Sequence, residues 1–470
     1  MSICFKAALT VFLLVYLALC TCDTQDDLRQ QQRQQLECRL ILYGDQYYFV
    51  LLGAKLQITG PNTLTDLDIA SETAISVSKD LFDSLAQDEP IDSRRIARYT
   101  VLFHLVHNCH LQPSVYKPSP KAKVLIYMVD SRTIKQTSIQ SAHYFALCAA
   151  LNLHYSKMHG YDFTLFHLNT TNLEEDVRRE YGVSPGLQIA AKDAPDPRKN
   201  YKALFNTKSQ QFRAAPWAKV AVLAYLIKMI KTGRIPTYDF ICFVDSDAVF
   251  NPDMFYRSIS DFYSYWSIYH RLPMYINSTN AQVIGTSVKN ASLIFLSDCP
   301  LCRRKKPLPN SGVIFARPLV QDLSSLLSSW WDYKEDAAVI AKSTAYEQDA
   351  LCVSVLWEYP DLIALANGEH QMFLQNDYKP VITTCANQWI CHLIHWYADS
   401  SNNLLIKWIV KTLHLDDTSF NATVADILSN HSVTISSLSL TQYIEDKPLS
   451  SFRESELTMV AQKLSSKLTS

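Results

Sequence analysis

Two aspartates spaced i, i+2 follow one of the most apolar short runs in the chain: Phe240–Val244 reads FICFV and leads directly into Asp245-Ser246-Asp247-Ala248. A buried strand that ends in carboxylates delivers them to the edge of an α/β sheet where ligands bind. At an extended strand end, residues i and i+2 share a side, so both carboxylates can face one point. Two such groups emerging from an apolar core repel each other unless a cation lies between them. Hard oxygen donors suit Mg²⁺ or Mn²⁺, and such an ion can bridge the phosphates of a substrate. The Ser246 hydroxyl between them is a further contact for that ligand. A hydrolase using Asp245 and Asp247 as its two acids fits less well, because hydrolytic carboxyls flank a bond rather than converge.

The surrounding elements are those that would position such a pair. Val124–Val129 (VLIYMV) and Phe240–Val244 are short continuous apolar runs, as in buried parallel strands. Phe163–Leu168, Leu293–Leu296 and Val313–Ala316 read as further strands. Ile139–Met158, Trp217–Lys231, Leu319–Trp331 and Gln348–Glu358 read as helices, with Gly233 and Pro236 stopping the second. This alternation predicts an α/β domain with a mainly parallel central sheet and flanking helices over residues 121–400. Ahead of it, residues 38–120 form a region of their own. It contains a hairpin (Leu40–Tyr43, Tyr47–Leu52), a helix over Arg94–Val106 and a Pro-rich linker at Gln112–Lys123. Residues 401–470, helical and then Ser/Thr-rich, read as an appendage. Trp330-Trp331 reads as core rather than as a sugar platform.

Composition narrows the function. With 44 basic and 45 acidic residues in 470, the chain carries no basic footprint for nucleic acid. It has 10 glycines, and no two are close enough to make GxG, so the dinucleotide loop and the P-loop are both absent. Any phosphates must be neutralised by other means. The apolar run Ala7–Cys20 is short for a spanning helix and suits either a cleaved signal peptide or a short signal anchor over residues 1–22, followed by a polar stem over 23–37. Either places the bulk of the chain in the secretory lumen. The sequons at Asn169, Asn277, Asn290, Asn421 and Asn430 and the 12 cysteines agree with an oxidising compartment and some disulfides. Cys299 and Cys302 make a lone CxxC, which reads as a local disulfide or two thiols rather than as a zinc site.

An ordered set of segments resembles the glycosyltransferase family 34 group, the galactosyl-, mannosyl- and xylosyltransferases of GT-A fold. Tyr155…His159-Gly160-Tyr161 is similar to that group's Tyr…His-Gly-Tyr segment, and Trp217-Ala218-Lys219 to its Trp-Ala-Lys helix start. Tyr238–Ala248 resembles its strand ending in Asp-x-Asp, Asn310-Ser311-Gly312-Val313 its Asn-x-Gly strand, and Tyr346–Leu351 its acidic-Gln helix start. The resemblance covers about residues 122–400. It implies a GT-A fold and Asp245 and Asp247 at the metal and nucleotide. It also implies a late histidine completing the metal site, for which His395 is the best match and His392 the competitor. Glu347 and Gln348 match a pair beside the reacting sugar carbon. Asn310 and Gly312 line the donor or acceptor site, and Lys219 either reaches the nucleotide or is a solvated helix-start lysine. The group's Gly and Lys after the late histidine are missing here, where Ala398-Asp399-Ser400-Ser401 follows. The expected function is therefore a Mn²⁺- or Mg²⁺-dependent transfer of a hexose or pentose, with retention, in the secretory pathway and in the Golgi above all. The donor would be a nucleotide sugar, first of all a UDP-sugar, and the acceptor a glycan or glycoprotein hydroxyl. The alternative is a sugar-binding or scaffold subunit of the same fold with a decayed phosphate site.

Overall fold

The computed structural model describes residues 38–51, 54–59, 63–66, 71–91, 122–182, 202–252, 258–263, 274–276, 282–297, 309–333, 346–366, 373–375, 389–392 and 398–466, with Leu36 and Phe255. The Ala7–Cys20 run, the stem apart from Leu36, the Arg94–Val106 helix, the Cys299–Cys302 pair and His395 lie outside these residues. Among the described residues no helix is long and apolar enough to cross a membrane. The chain divides into two compact units, Met1–Pro118 and Ser119–Ser470.

The first unit holds a five-stranded sheet. Strands β1 (Leu40–Tyr43), β2 (Gln46–Leu51) and β3 (Ala54–Ile58) form an antiparallel meander, with β4 (Ile75–Ser76) beside β1 and β5 (Ala86–Ile91) beside β3, both parallel. The expected hairpin is present, turning at Gly44, whose φ of 65° lies in the left-handed region that glycine enters at little cost. A small core of Ile41, Val50, Phe82 and Leu85 fastens the helix Lys79–Ser84 to the sheet.

The second unit is built on a seven-stranded sheet. Its strands are β6 (Val124–Asp130), β7 (Asp162–Asn169), β10 (Phe240–Val244), β14 (Leu293–Ser297), β15 (Pro309–Ala316), β16 (Ile363–Ala366) and β19 (Ser432–Ser436), in the order β16-β14-β15-β10-β6-β7-β19. Every pairing is parallel except those of β15 with β10 and β14, so β15 alone runs against the other six. The expected mainly parallel α/β sheet is therefore present. All five residues of β10 are buried, as a strand covered on both faces requires. The helices Ala218–Lys231 and Leu323–Asp332 pack together on this core. Trp330 and Trp331 are buried there, as core residues.

Smaller ladders flank this sheet. Strand β8 (Lys202–Asn206) pairs with β9 (Gln211–Ala214), and β12 (Met274–Ile276) with β13 (Gln282–Ile284), both antiparallel. A three-stranded ladder joins β11 (Ala248–Phe250), β18 (Ile390–His392) and β17 (Phe373–Gln375) in the order β11-β18-β17. The C-terminal stretch is not an appendage. Strand β19 pairs with β7 along its whole length, and the helices Ser437–Ile444 and Ser451–Ser466 send Leu440, Leu457, Val460 and Leu464 into the main core. Its Ser and Thr content hid short apolar stretches that only a neighbouring strand could make into a sheet edge.

Candidate metal centre

Strand β10 ends at Val244, which is in register with Val313 of β15, and one further bond continues the ladder: Asp245 N–H donates to Gly312 O at 2.8 Å. The chain then turns. Ala248 N–H donates back to Asp245 O at 3.0 Å and closes a four-residue loop that leads into β11. The two carboxylates therefore converge through this turn, not through the extended alternation expected of a strand end. Strand β11 is fixed from below by Asn152 of the helix Tyr144–His159. Its buried amide donates to Ala248 O and accepts from Phe250 N–H, both at 3.0 Å. Strand β18 pairs antiparallel with β11 and sets His392 opposite Ala248, one residue beyond Asp247.

One carboxylate oxygen each from Asp245 and Asp247 and one ring nitrogen of His392 lie within 4.8 Å of one another. His392 Nε2 stands 3.0 Å from Asp247 Oδ1 and 4.0 Å from Asp245 Oδ2. Two hard oxygens and one imidazole suit Mn²⁺ or Mg²⁺, so the donor set fits the expected cation. His392 is the histidine that the described residues bring to the carboxylates; His395 lies outside them. Burial pushes Asp245 above the usual carboxylate range. Lys219 pulls it down, the negative Asp247 adds to the rise, and the net direction is upward. Burial acts upward on Asp247 too, but the adjacent His392 outweighs it and holds that group low. The same contact raises His392 against the downward pull of burial.

Behind the carboxylates lies a buried ion cluster. Lys219, in the first turn of the helix Ala218–Lys231, is 4% exposed. Its ammonium donates to Asp245 Oδ2 at 3.1 Å and to Ser311 O at 3.2 Å, and stands 3.0 Å from Glu347 Oε1. Three acceptors use all three donors of a lysine. Lys219 is thus neither a solvated lysine nor a donor left over for a ligand, and its two carboxylates keep it charged although burial opposes that. Glu347 is 3% exposed. Its Oε1 also accepts from Ser311 Oγ at 2.8 Å, and its Oε2 is buried without a hydrogen-bond partner among the described residues. Gln348 is only half-buried; its Oε1 accepts from Ser311 N–H at 3.1 Å and from Asn310 Nδ2 at 3.4 Å, and lies 3.2 Å from Ser311 Oγ, whose one proton has its shorter contact with Glu347. Its carbonyl is therefore turned onto β15. Asn310 Oδ1 accepts from Gly312 N–H at 2.7 Å.

Ser246 lies on the outer side. Its Oγ accepts from Arg132 Nη2 at 3.0 Å, and Arg132 is held by a forked pair with Asp130 and by Tyr144 Oη at 2.7 Å. Arg132 escaped the sequence reading. The signal for it was present: strand β6, like β10, runs from a buried apolar stretch into a carboxylate, and Arg132 comes two residues later. Asp245, Asp247, Ser246, Lys219, Asn310, Gly312, Glu347 and Gln348 are thus drawn together around the ends of β10 and β15.

No protein-family profile matches this chain. No curated protein matches it either. Solved structures do. One is a glycosyltransferase involved in glycosylation of the major capsid of PBCV-1, at 13% identity over 60% of this chain and 98% of its own, with a TM-score of 0.35. Another is the galactosyltransferase LgtC in complex with donor and acceptor sugar analogues, at 12% identity, 60% and 95% coverage and a TM-score of 0.27. A third is mouse xyloside xylosyltransferase 1 in its apo form, at 11% identity, 58% and 97% coverage and a TM-score of 0.28.

Proposed function

We propose that this chain is a divalent-metal-dependent glycosyltransferase. It takes a hexose or pentose from a nucleotide sugar, a UDP-sugar first of all, and passes it to a hydroxyl of a glycan or glycoprotein with retention of configuration. The observation that carries the reading is the convergence of Asp245, Asp247 and His392 at the carboxyl end of a buried strand. Mn²⁺ or Mg²⁺ held there would neutralise the charge that develops on a departing diphosphate. The chain's own groups do the rest. The Asp245–Ala248 turn fixes the spacing of the carboxylates, and Lys219, itself paired with Glu347, holds Asp245 Oδ2 from behind. The half-buried Gln348 presents its amide nitrogen to the sugar or leaving oxygen. In place of the missing lysine after the late histidine, Arg132 is the cation on the outer side of the acidic motif, hydrogen-bonded to Ser246 Oγ, while Lys219 is committed behind it. Placement in the secretory lumen is part of the proposal. The Ala7–Cys20 run, the sequons and a disulfide at Cys38 support it.

The test is a thermal-shift titration with UDP and Mn²⁺, separately and together. A nucleotide-sugar transferase is stabilised most when both are present, by about 2.7 kcal/mol at a hundredfold excess over Kd. Asp247→Ala should abolish both that joint shift and metal-dependent hydrolysis of the donor, without loss of the cooperative melt. Absence of any shift with common nucleoside diphosphates would favour the sugar-binding subunit instead, and undiminished turnover by Asp247→Ala would sink the site.

A further inference from the structure

Gly312 sits in the interior of β15, a place where glycine weakens a strand. Its backbone does not call for glycine, because it is not among the residues with positive φ. The space beside it does. A Cβ at this position would fall 2.7 Å from His392 Nδ1 and 2.8 Å from Asn310 Oδ1, and closer still to His392 Cε1. These are distances that real contacts do not tolerate. The Asn310 amide can rotate away by giving up its bonds to Gly312 N–H and Gln348 Oε1. The His392 ring can yield only by leaving Asp247 and Asp245, since β18 is fastened to β11 by its backbone.

The same residue holds the other side of the site. Gly312 O accepts the N–H of Asp245 at 2.8 Å. One peptide unit therefore sets the height of one carboxylate while its bare Cα makes room for the imidazole.

We propose that Gly312 is a positioning residue of the cation site: its missing side chain is the seat of the His392 ring. This rests on the reading of Asp245, Asp247 and His392 as a metal centre and deepens it. It assigns Gly312 to the geometry of the metal rather than to close approach of a sugar.

The experiment compares the full chain with Gly312→Ala, His392→Ala and the double variant in two measurements. In the first, Mn²⁺ is titrated in the presence of UDP and free Mn²⁺ is read by electron paramagnetic resonance. Gly312→Ala should bind Mn²⁺ about 10- to 100-fold more weakly than the unaltered protein, as loss of a supporting contact does at metal sites. In the second, melting is followed in EDTA, where no metal contributes. Gly312→Ala should melt about 3–10 °C lower, from overpacking against the ring. Adding Gly312→Ala to His392→Ala should lower melting by less than it does in the unaltered protein, because the clash with the ring is gone and only that with the Asn310 amide remains. Recovery of folding in the double variant when Gly312→Ala alone does not fold supports the proposal equally. Mn²⁺ affinity of Gly312→Ala within threefold of the unaltered protein overturns it, as does a melting loss of undiminished size when Gly312→Ala is added to His392→Ala. If the unaltered protein binds no Mn²⁺, the metal centre falls and the proposal with it. The EDTA melts then show separately whether the ring and the glycine are packed as described.

Discussion

Lys219 sets how much negative charge the ends of β10 and β15 can hold. It is the cation that the described residues place between Asp245 and Glu347; the Glu347 contact is dry, while Asp245 keeps 28% of its side chain exposed. Removing one partner of a buried ion pair costs about 3–5 kcal/mol, because the other is left uncompensated. Lys219→Met should therefore lower unfolding free energy by about that amount in EDTA, measured by urea denaturation. Mn²⁺ should restore part of the loss, since a divalent ion supplies the missing charge; equal losses with and without Mn²⁺ would separate Lys219 from the metal centre. The convergence of Asp245 and Asp247 was legible in an apolar run ending in D-x-D, although the turn that produces it was not. The depth of Lys219 was not, because three long-range acceptors create it: Asp245 from β10, Ser311 from β15 and Glu347 from the helix start at Tyr346. The choice between His392 and His395 was equally out of reach of the sequence. Strand pairing brings His392 to the carboxylates, and pairing is a property of two segments rather than one.

The β11 ladder shows what an element contributes that its own sequence does not reveal. It is three residues long, yet it follows Asp247 directly and pairs with the strand that bears His392. Asn152 replaces a neighbouring strand for it by making the two bonds that a backbone would make. In a helix that reads as apolar from Phe145 to Leu153, an asparagine looks like a mild irregularity. Asn152→Leu should cost roughly 2–4 kcal/mol, because it leaves a buried N–H and a buried C=O unpaired. It should also weaken Mn²⁺ binding although Asn152 touches no metal ligand. Loss of stability with unchanged Mn²⁺ affinity would show that β11 keeps its place without it. A second inter-element tie responds to pH. Asp426, at the end of the helix Asp417–Asp426, pairs with Lys157 at 2.6 Å and accepts from Asn430 at 2.8 Å. Burial raises its carboxyl, but these contacts outweigh burial and hold it below the ordinary 3.8. A depressed folded-state pKa adds stability that is fully present above the unfolded value and is lost as pH falls through the folded one. Asp426→Asn should therefore lower the melting temperature at pH 7 and flatten its decline below pH 4; an unchanged acid limb would exclude this tie as a source of acid sensitivity.

At the scale of the whole chain, the question is where the second unit ends. Composition suggests a boundary near residue 400, because the Ser/Thr-rich stretch beyond it looks unlike a core. The sheet order says otherwise: β19 is the edge strand next to β7. A fragment ending at residue 400 would strip that strand and leave β7 as a long unpaired edge, which invites aggregation. It would also remove Val433, Ile435, Leu440, Leu457, Val460 and Leu464 from the main core. Each such side chain contributes about 1.5–3 kcal/mol when buried, so together they rival the entire stability of a typical domain. The unit Ser119–Ser470, by contrast, keeps every strand of its sheet. The expectation is that 119–470 expressed alone unfolds cooperatively and shows the joint UDP and Mn²⁺ shift, whereas 119–400 gives insoluble protein or a melt without a cooperative transition. Circular dichroism melts of the two fragments decide it. A cooperative 119–400 fragment with intact Mn²⁺ binding would mean that the last seventy residues only decorate a core able to close without them.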